Sequence, residues 1–258
     1  MLLRQLINNQ VWAYAMVVSA AVLSPSVSAY QFGPPPITEL AEAGGSQSRF
    51  NVYSQKQTVE KSKLEADLTG ISLANSTGDS IGASSSMFRV ARYTDNRVTT
   101  GSSGVLLGAG GGGQWYFGEE RAFGVLLNGQ MDLLVFNYKP TIHNQAVTQG
   151  AIGVEFGGLY RIFIEKATIT PFISFMKGVR TRFDSCSSTS NLCNDRKFIY
   201  TDSARTIGLD FMMGVFSASI LNTKASDNFT LTNERTGASL PSGNTSTTTT
   251  MLIIGYNF

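Results

Sequence analysis

Large apolar side chains alternate with small or polar ones along most of this chain, a period of two that is typical of β-strands with one apolar face. The C-terminal stretch, residues 247–258, shows this pattern most clearly. One face carries Leu252, Ile254, Tyr256 and Phe258, and the other carries Met251, Ile253, Gly255 and Asn257. After residue 46 no run of eighteen apolar residues occurs, so the pattern predicts strands and no α-helical membrane span.

Five further segments alternate in the same way: residues 104–117, 123–135, 151–163, 169–182 and 207–215. Short turns, 118–121 and 164–167, join two pairs of them. Longer polar connections occupy residues 139–150, 184–198 and 232–246. Glycine is frequent, at 26 of 258 residues, and aromatic residues make up 10%, which suits many strands and turns. We therefore predict an all-β, antiparallel protein.

The C-terminal strand resembles the last strand of Gram-negative outer-membrane β-barrels. The resemblance covers about a dozen residues and rests on Phe258, on Tyr256 two positions earlier, and on the alternating apolar residues before them. It implies that the barrel-assembly machinery recognises this strand. It also implies an architecture similar to that of OmpA-type and OmpW-type transmembrane barrels, an up-and-down barrel with apolar residues outside and polar residues inside.

A water-soluble β protein also alternates, so the direction of the two faces needs a separate argument. Aromatic residues gather beside the short turns and the C-terminus, as in the interfacial girdle of a membrane barrel. The predicted girdle consists of Trp115, Phe117, Phe123, Tyr160, Tyr256 and Phe258. The short turns are then periplasmic and the long connections extracellular. We expect the apolar face to contact lipid.

The number of strands follows from counting back from a periplasmic C-terminus. Eight strands alternate consistently, and two weaker candidates precede them, near residues 50–59 and 64–73. Ten strands are the first prediction because an even number keeps both ends periplasmic. Eight strands with a structured N-terminal extension are the alternative.

The first 29 residues have the pattern of a signal peptide. Arg4 precedes an apolar stretch at residues 11–23, and Val27-Ser28-Ala29 provides the small residues of a cleavage site. Thirteen apolar residues are short for a membrane anchor. We expect cleavage after Ala29, an irregular periplasmic lead-in at residues 30–46, and the barrel at residues 47–258.

Charge and cysteine content add three expectations. Only 15% of residues are charged, the formal net charge is +2, and no basic cluster stands out, so nucleic acid is not an expected partner. Cys186 and Cys193 lie close together in a polar stretch, and export would oxidise them to a disulfide. No metal or cofactor site is expected, since the only histidine, His143, is distant in sequence from the two cysteines.

Charged residues on the polar face would point into the lumen. Those predicted there are Glu65, Asp67, Arg89, Asp132, Glu155, Arg161, Arg180, Arg182 and Asp210. Five acids against four bases suggest mutual pairing. Side chains just fill an eight-stranded barrel, so paired charges could plug a ten-stranded one. A narrow path for ions or solutes is the other interpretation.

Catalysis is not predicted. Lipid-hydrolysing outer-membrane barrels place a serine two positions after a histidine, whereas Gln145 follows His143 at that spacing. The leading hypothesis is a non-enzymatic, monomeric barrel that acts as a structural element or narrow passive channel. Binding through the long extracellular loops is the alternative, and lipid modification is a minor third. The expected partners are outer-membrane lipid and lipopolysaccharide, whose phosphates the outward-facing Lys177 could contact.

Overall fold

The computed structural model describes residues 45–59, 65–78, 82–95, 102–118, 122–138, 145–186, 196–233 and 239–258. Within these ranges all regular secondary structure is β-strand. No helix in this part of the chain is long and apolar enough to span a membrane. The predicted signal peptide, nearly all of the lead-in, His143 and Cys193 lie outside the described residues.

Eleven strands make up the described chain. In order they are β1 (Gly45–Val59), β2 (Glu65–Gly78), β3 (Gly82–Asp95), β4 (Ser102–Phe117), β5 (Phe123–Tyr138), β6 (Gln145–Tyr160), β7 (Ile162–Ile164), β8 (Ala167–Cys186), β9 (Arg196–Met213), β10 (Phe216–Asn233) and β11 (Ser239–Asn257). Strands β6 and β7 both pair with β8, so they form one crossing of the wall, interrupted at Arg161. The eleven strands therefore make ten crossings.

Each strand pairs antiparallel with its neighbours, and β1 pairs with β11 to close the sheet into a barrel. The prediction of an antiparallel ten-stranded barrel is confirmed. The closure joins the two ends of the described chain, because the backbone groups of Ser48 and Phe258 exchange two hydrogen bonds of 3.0 and 2.9 Å.

The stagger of the strands fixes their tilt. Moving from Gln47 on β1 to its partner on each successive strand, the path returns to β1 at Val59, 12 residues further along. Ten strands with this stagger tilt by about 40° from the barrel axis. Each residue then raises a strand by ~2.5 Å along the axis.

A two-residue hairpin connects β9 to β10 at the end of the wall that carries the short turns, the predicted periplasmic end. Met213 pairs with Phe216, leaving Gly214 and Val215 as the turn. Gly214 has a φ of 57°, a left-handed conformation that glycine adopts without the steric penalty of a Cβ. The sequence pattern had extended the strand through residue 215, one of the places where the boundaries differ.

The predicted extracellular loops are shorter than expected. Strands continue into all three polar connections, 139–150, 184–198 and 232–246. In the first, β6 already begins at Gln145, and in the second, β8 extends to Cys186. In the third, β10 extends to Asn233 and β11 begins at Ser239. Polar strands above the membrane need no apolar face to pair with one another, so the alternation that marks the lipid-crossing part is absent there. Four adjacent strands, β8 to β11, have 18–20 residues against 14–15 in β1 to β3, so one side of the wall stands higher.

Candidate functional site: a lipid-facing wall around a filled lumen

The outer surface of the wall is apolar over its periplasmic half and middle. Exposed apolar side chains there include Val52, Ile71, Leu73, Phe88, Val105, Leu107, Leu127, Leu133, Val154, Phe156, Phe175, Ile207, Leu209, Ile220, Leu252 and Ile254. A monomeric protein in water rarely exposes so large a continuous apolar surface. A closed barrel with such a band faces lipid. The chain folds as a transmembrane β-barrel.

The six aromatic residues predicted as a girdle all lie exposed at the periplasmic end of the wall. Phe117 and Phe123 flank the turn between β4 and β5, with ring centroids 6.4 Å apart. Tyr256 stands edge-on to Phe216, an additional aromatic at that level, at 5.7 Å. Rings at this height suit the membrane–water interface, where an apolar body and a polar edge are both satisfied.

Arg161 is buried at the break between β6 and β7, towards the periplasmic end of the lumen. Its guanidinium lies 3.7 Å from the ring centroid of Tyr116 and 5.4 Å from that of Phe163. Tyr116 donates a hydrogen bond of 2.6 Å to Gln114, and Ser219 on β10 donates one of 2.5 Å to Asp210. Of the predicted lumen residues at this end, Arg161 contacts aromatic rings and Asp210 accepts a hydrogen bond from a serine.

Two carboxylates are buried in the middle of the lumen. Asp132 forms an ion pair with Arg89, in which the guanidinium donates to both carboxylate oxygens. Glu155 has no arginine partner among its hydrogen bonds: it accepts 2.5 Å from Ser174 and 3.3 Å from Asn128. The expectation of charge pairing therefore holds for Asp132, while hydroxyl and amide donors satisfy Glu155.

The extracellular end of the lumen contains a second ion-pair group. Arg180 donates hydrogen bonds to Asp227 at 2.5 Å and to Asp202 at 3.2 Å, and its guanidinium stacks 3.8 Å from the ring of Tyr200. Arg182, two residues further along β8, lies 5.9 Å from the ring of Phe136. Two acids share one arginine here.

Among the described residues, sequence reasoning missed three buried lumen charges, Arg49, Asp202 and Asp227. Asp202 lies on the same face of β9 as Asp210, so the period of two, extended past residue 207, would have found it. Asp227 belongs to β10, for which no face was assigned. Arg49 donates a hydrogen bond of 2.5 Å to Asn257, tying β1 to β11.

Two predicted lumen acids, Glu65 and Asp67, are not in the lumen. Their neighbours Ala66 and Leu68 are buried instead, on the inward face of β2. Glu65 points outward with a side chain 41% exposed and forms an ion pair of 2.8 Å with Lys56. These acids lie at the extracellular rim, beyond the apolar band. An outward-facing charge is in contact with water there, so outward-facing residues need not be apolar.

The lumen is also less polar than predicted. An apolar cluster fills part of it, consisting of Tyr53, Ala66, Leu68, Ala74, Met87, Ala91, Tyr93, Leu106, Leu134, Phe136, Val147, Ala151, Leu221, Met251 and Ile253. Tyr93 and Phe136 pack with ring centroids 5.1 Å apart. Side chains in a narrow, filled barrel contact each other rather than water, so apolar residues are as suitable inside as hydrogen-bonded polar ones.

A glycine makes room for the central ion pair. A Cβ at Gly108 on β4 would collide with the carboxylate of Asp132 and the guanidinium of Arg89. We predict that Gly108→Ala lowers the free energy of unfolding by about 1–3 kcal/mol, because the buried pair must shift. Urea titration in lipid vesicles, followed by the fluorescence of Trp115, measures the change.

The matched control for this prediction is Gly129→Ala on β5. Gly129 faces outward, and the nearest atom to its added Cβ is the carbonyl oxygen of Gly111, 4.0 Å away. The control is expected to change stability by less than about 0.5 kcal/mol. Equal effects at the two glycines would mean that backbone entropy, and not the ion pair, sets the cost.

The chemistry available within the described ranges is that of ion pairs and hydrogen bonds. No group of three or more His, Cys, Asp or Glu side chains is placed there to hold a metal ion. Each buried carboxylate named above accepts hydrogen bonds from a side chain of the wall. The arrangement ties strands of the wall together across the interior of the barrel.

Comparison with protein-family models and with the curated proteins finds no match. Among solved structures, the outer-membrane protease OmpT from Escherichia coli is similar with 8% identity and a TM-score of 0.49, over 90% of this chain and 100% of OmpT. Ail, the attachment invasion locus protein of Yersinia pestis, is similar with 15% identity and a TM-score of 0.38, over 83% of this chain and 99% of Ail. The ferric citrate transporter FecA is similar with 9% identity and a TM-score of 0.40. The match covers 77% of this chain but only 41% of FecA. Similarities at this level give no information about activity.

Proposed function

We propose that this chain is a non-enzymatic barrel with a closed lumen, which serves the outer membrane as a structural element and not as a conducting pore. The observation that carries the proposal is the burial of charged lumen residues at three levels: Arg161 at the periplasmic end, Asp132 in the middle and Asp202 towards the outside are each at most 5% exposed. A water-filled channel would leave such side chains hydrated.

The two kinds of lumen contact support a permanent closure. Ion pairs join β3 to β5 through Arg89 and Asp132, and β8 to β9 and β10 through Arg180. The apolar cluster fills the space beside them. Opening a path would require breaking buried ion pairs and exposing packed apolar side chains, which costs several kcal/mol.

The absence of catalysis is part of the proposal. The described carboxylates of the lumen are bound to arginine, hydroxyl or amide groups, and the two serines that donate to Glu155 and Asp210, Ser174 and Ser219, are themselves buried and out of reach of a substrate. Attachment of this barrel to the assembly machinery through its C-terminal strand, and its existence as a monomer, remain predictions from the sequence.

Conductance measurement tests the closed lumen. In planar lipid bilayers the protein is expected to show no discrete current steps, and vesicles containing it should not swell in small sugars faster than protein-free vesicles. Fluorescence of Trp115 and a shift in gel mobility on boiling verify that the barrel has inserted and folded. Reproducible current steps from verified protein would overturn the proposal in favour of a narrow channel.

A second candidate function is binding at the cell surface. It is favoured by the height of the wall at β8 to β11, which extends a paired sheet several residues above the tops of β1 to β3. Cys186 ends β8 at the top of this wall, and its disulfide with Cys193 stays a prediction that would brace the connection to β9. Loss of surface attachment on removal of residues 187–195, with silence in the bilayer assay, would favour this candidate.

A further inference from the structure

The apolar outer surface is interrupted on three adjacent strands, β1, β2 and β3, whose outward side we call the narrow face. On each strand, only two outward apolar residues separate a polar residue near the short-turn end from another polar residue above. From that end upward, the sets are Ser48, Phe50, Val52 and Ser54 on β1; Asn75, Leu73, Ile71 and Thr69 on β2; and Ser86, Phe88, Val90 and Arg92 on β3.

The apolar height of the narrow face is little more than half of what a bilayer needs. The flanking polar residues are six positions apart on each strand, or ~15 Å along the axis, against an apolar band ~25 Å tall in membrane barrels. On β5, by contrast, every outward residue from Phe123 to Val135 is apolar or glycine, a rise of ~30 Å. Tilting the barrel would shift the short band up or down without lengthening it, so tilt cannot correct this mismatch.

The polar residues at the lower edge of the narrow face replace apolar residues found at the same height elsewhere. Ser86 lies four residues above the first residue of β3. Four residues above Met213, the end of β9, the outward residue is the exposed Leu209. None of the six girdle residues named above lies on β1, β2 or β3. The narrow face therefore lacks both the girdle and the lower part of the apolar band.

Short, neutral side chains make up this lower edge. Ser48, Asn75 and Ser86 lie directly opposite one another in the ladder and form a polar row. Ser48 donates a hydrogen bond of 2.8 Å to Oδ1 of Asn75, and no described residue accepts one from the Asn75 amide nitrogen. Hydroxyl and amide groups both donate and accept, and unlike lysine or arginine these side chains are too short to reach past the edge of the band. Acyl chains offer them no partner.

A second copy of this chain carries the matching pattern. Two barrels inserted in the same direction and related by a two-fold axis along the membrane normal present residues of equal height to each other. The polar row then faces the polar row of the second copy, and the apolar pair Leu73 and Ile71 packs against apolar residues. Polar contacts of this kind favour association within a bilayer. The uncharged row produces no repulsion, and above it the face carries two cations and two acids: Lys56, Arg92, Glu65 and Asp67.

We propose that the narrow face is the interface of a homodimer, with β2 nearest the two-fold axis and the polar row buried between the copies. Oligomerisation is one of the ways in which a short apolar surface is removed from lipid. The dimer takes the place of the monomer that the sequence predicts. It does not depend on whether the lumen conducts.

The test uses full-length folded protein in detergent micelles of the same density as the solvent. Sedimentation equilibrium is expected to show a wild-type dimer that dissociates when more detergent is added. The variant Ser48→Leu/Asn75→Leu/Ser86→Leu should dimerise about 30-fold more weakly, since it loses the polar contacts of the row. The matched control Asn222→Leu/Thr250→Leu removes an outward polar pair on β10 and β11, joined by a hydrogen bond of 3.2 Å, and should dimerise as wild type does.

Cross-linking in vesicles locates the interface. The stagger of the strands places Leu73 on β2 and Ile173 on β8 at about the same height on opposite sides of the barrel, and both face outward. Under mild oxidation Leu73→Cys should form a covalent dimer, whereas Ile173→Cys should not. The leucine triple variant should keep its heat-dependent gel mobility, which separates lost dimerisation from failed folding.

Three results would each overturn the proposal. The first is equal dimerisation by wild type and the leucine triple variant, and the second is equal cross-linking at the two cysteine positions. The third is a wild type that stays monomeric at every detergent ratio. If that monomer also gained stability in short-chain lipid, a thinned bilayer, and not a second copy, would cover the narrow face.

Discussion

Replacing Asp132 by alanine is expected to lower the free energy of unfolding by about 3–5 kcal/mol, the cost of leaving a buried charge without its partner. Asp132 and Arg89 are 5% and 2% exposed, and Arg89 donates hydrogen bonds to both carboxylate oxygens. In Asp132→Ala the guanidinium stays in the middle of the barrel with no carboxylate to bind. It must recruit water into a packed lumen or move, and both are costly.

The double variant Arg89→Met/Asp132→Leu separates burial of a charge from loss of packing. Because it removes both charges and keeps apolar volume, its stability should fall within about 1–2 kcal/mol of wild type or exceed it. Urea titration in vesicles, followed by the fluorescence of Trp115, measures both variants. If the single and double variants lost the same stability, the cost would come from packing, and the ion pair would not be the element that holds β3 to β5.

The sequence could predict which residues share a face, because a strand's period of two leaves little choice. In β11 the row Leu252 to Phe258 is outward, and Met251 to Asn257 is inward, as expected. The period alone does not say which face points inward. Aromatic residues beside the turns settled that for most strands. In β2 the acids Glu65 and Asp67 alternate with Ala66 and Leu68, and the expectation that the acids lie inside was wrong.

Partners within the lumen could not be predicted, because they depend on register around the whole barrel. Arg180 reaches Asp227, 47 residues away along the chain, only because β8, β9 and β10 align these positions. Glu155 likewise meets Ser174 on β8 and Asn128 on β5, and not the arginine that a charge count suggests. Ladder register is a property of the closed sheet and has no local signature in the sequence.

The extent of the strands above the membrane was equally hidden. The predicted loop at residues 232–246 ends in Thr245 and Ser246, which indicate a loop by polarity, although the β-branched threonine also favours a strand. The structure places them in β11, paired with β10. Polarity did not predict the strand, because a strand outside the membrane needs no apolar face towards lipid. It needs only a neighbouring strand to which its backbone groups can hydrogen-bond.

A charge placed at mid-height on the outer wall gives the sharpest test of what surrounds the barrel. Phe88 points outward from β3, 53% exposed, six residues above the periplasmic end of the strand at Gly82 and so near the middle of the apolar band. We expect Phe88→Arg to lower the free energy of unfolding in phospholipid vesicles by about 2–4 kcal/mol, since a cation at that depth is far from water.

The control variant is Thr94→Arg, on the same strand and the same face but six residues closer to the outside. It lies beyond Arg92, an outward cation that the wall already carries near the upper edge of the band. Thr94→Arg should therefore cost about 0–1 kcal/mol. Urea titration in vesicles compares the two. If the wall faced water, Phe88→Arg would replace an exposed apolar ring by a solvated charge at almost no cost, so equal stabilities of the two variants would refute the lipid-facing assignment.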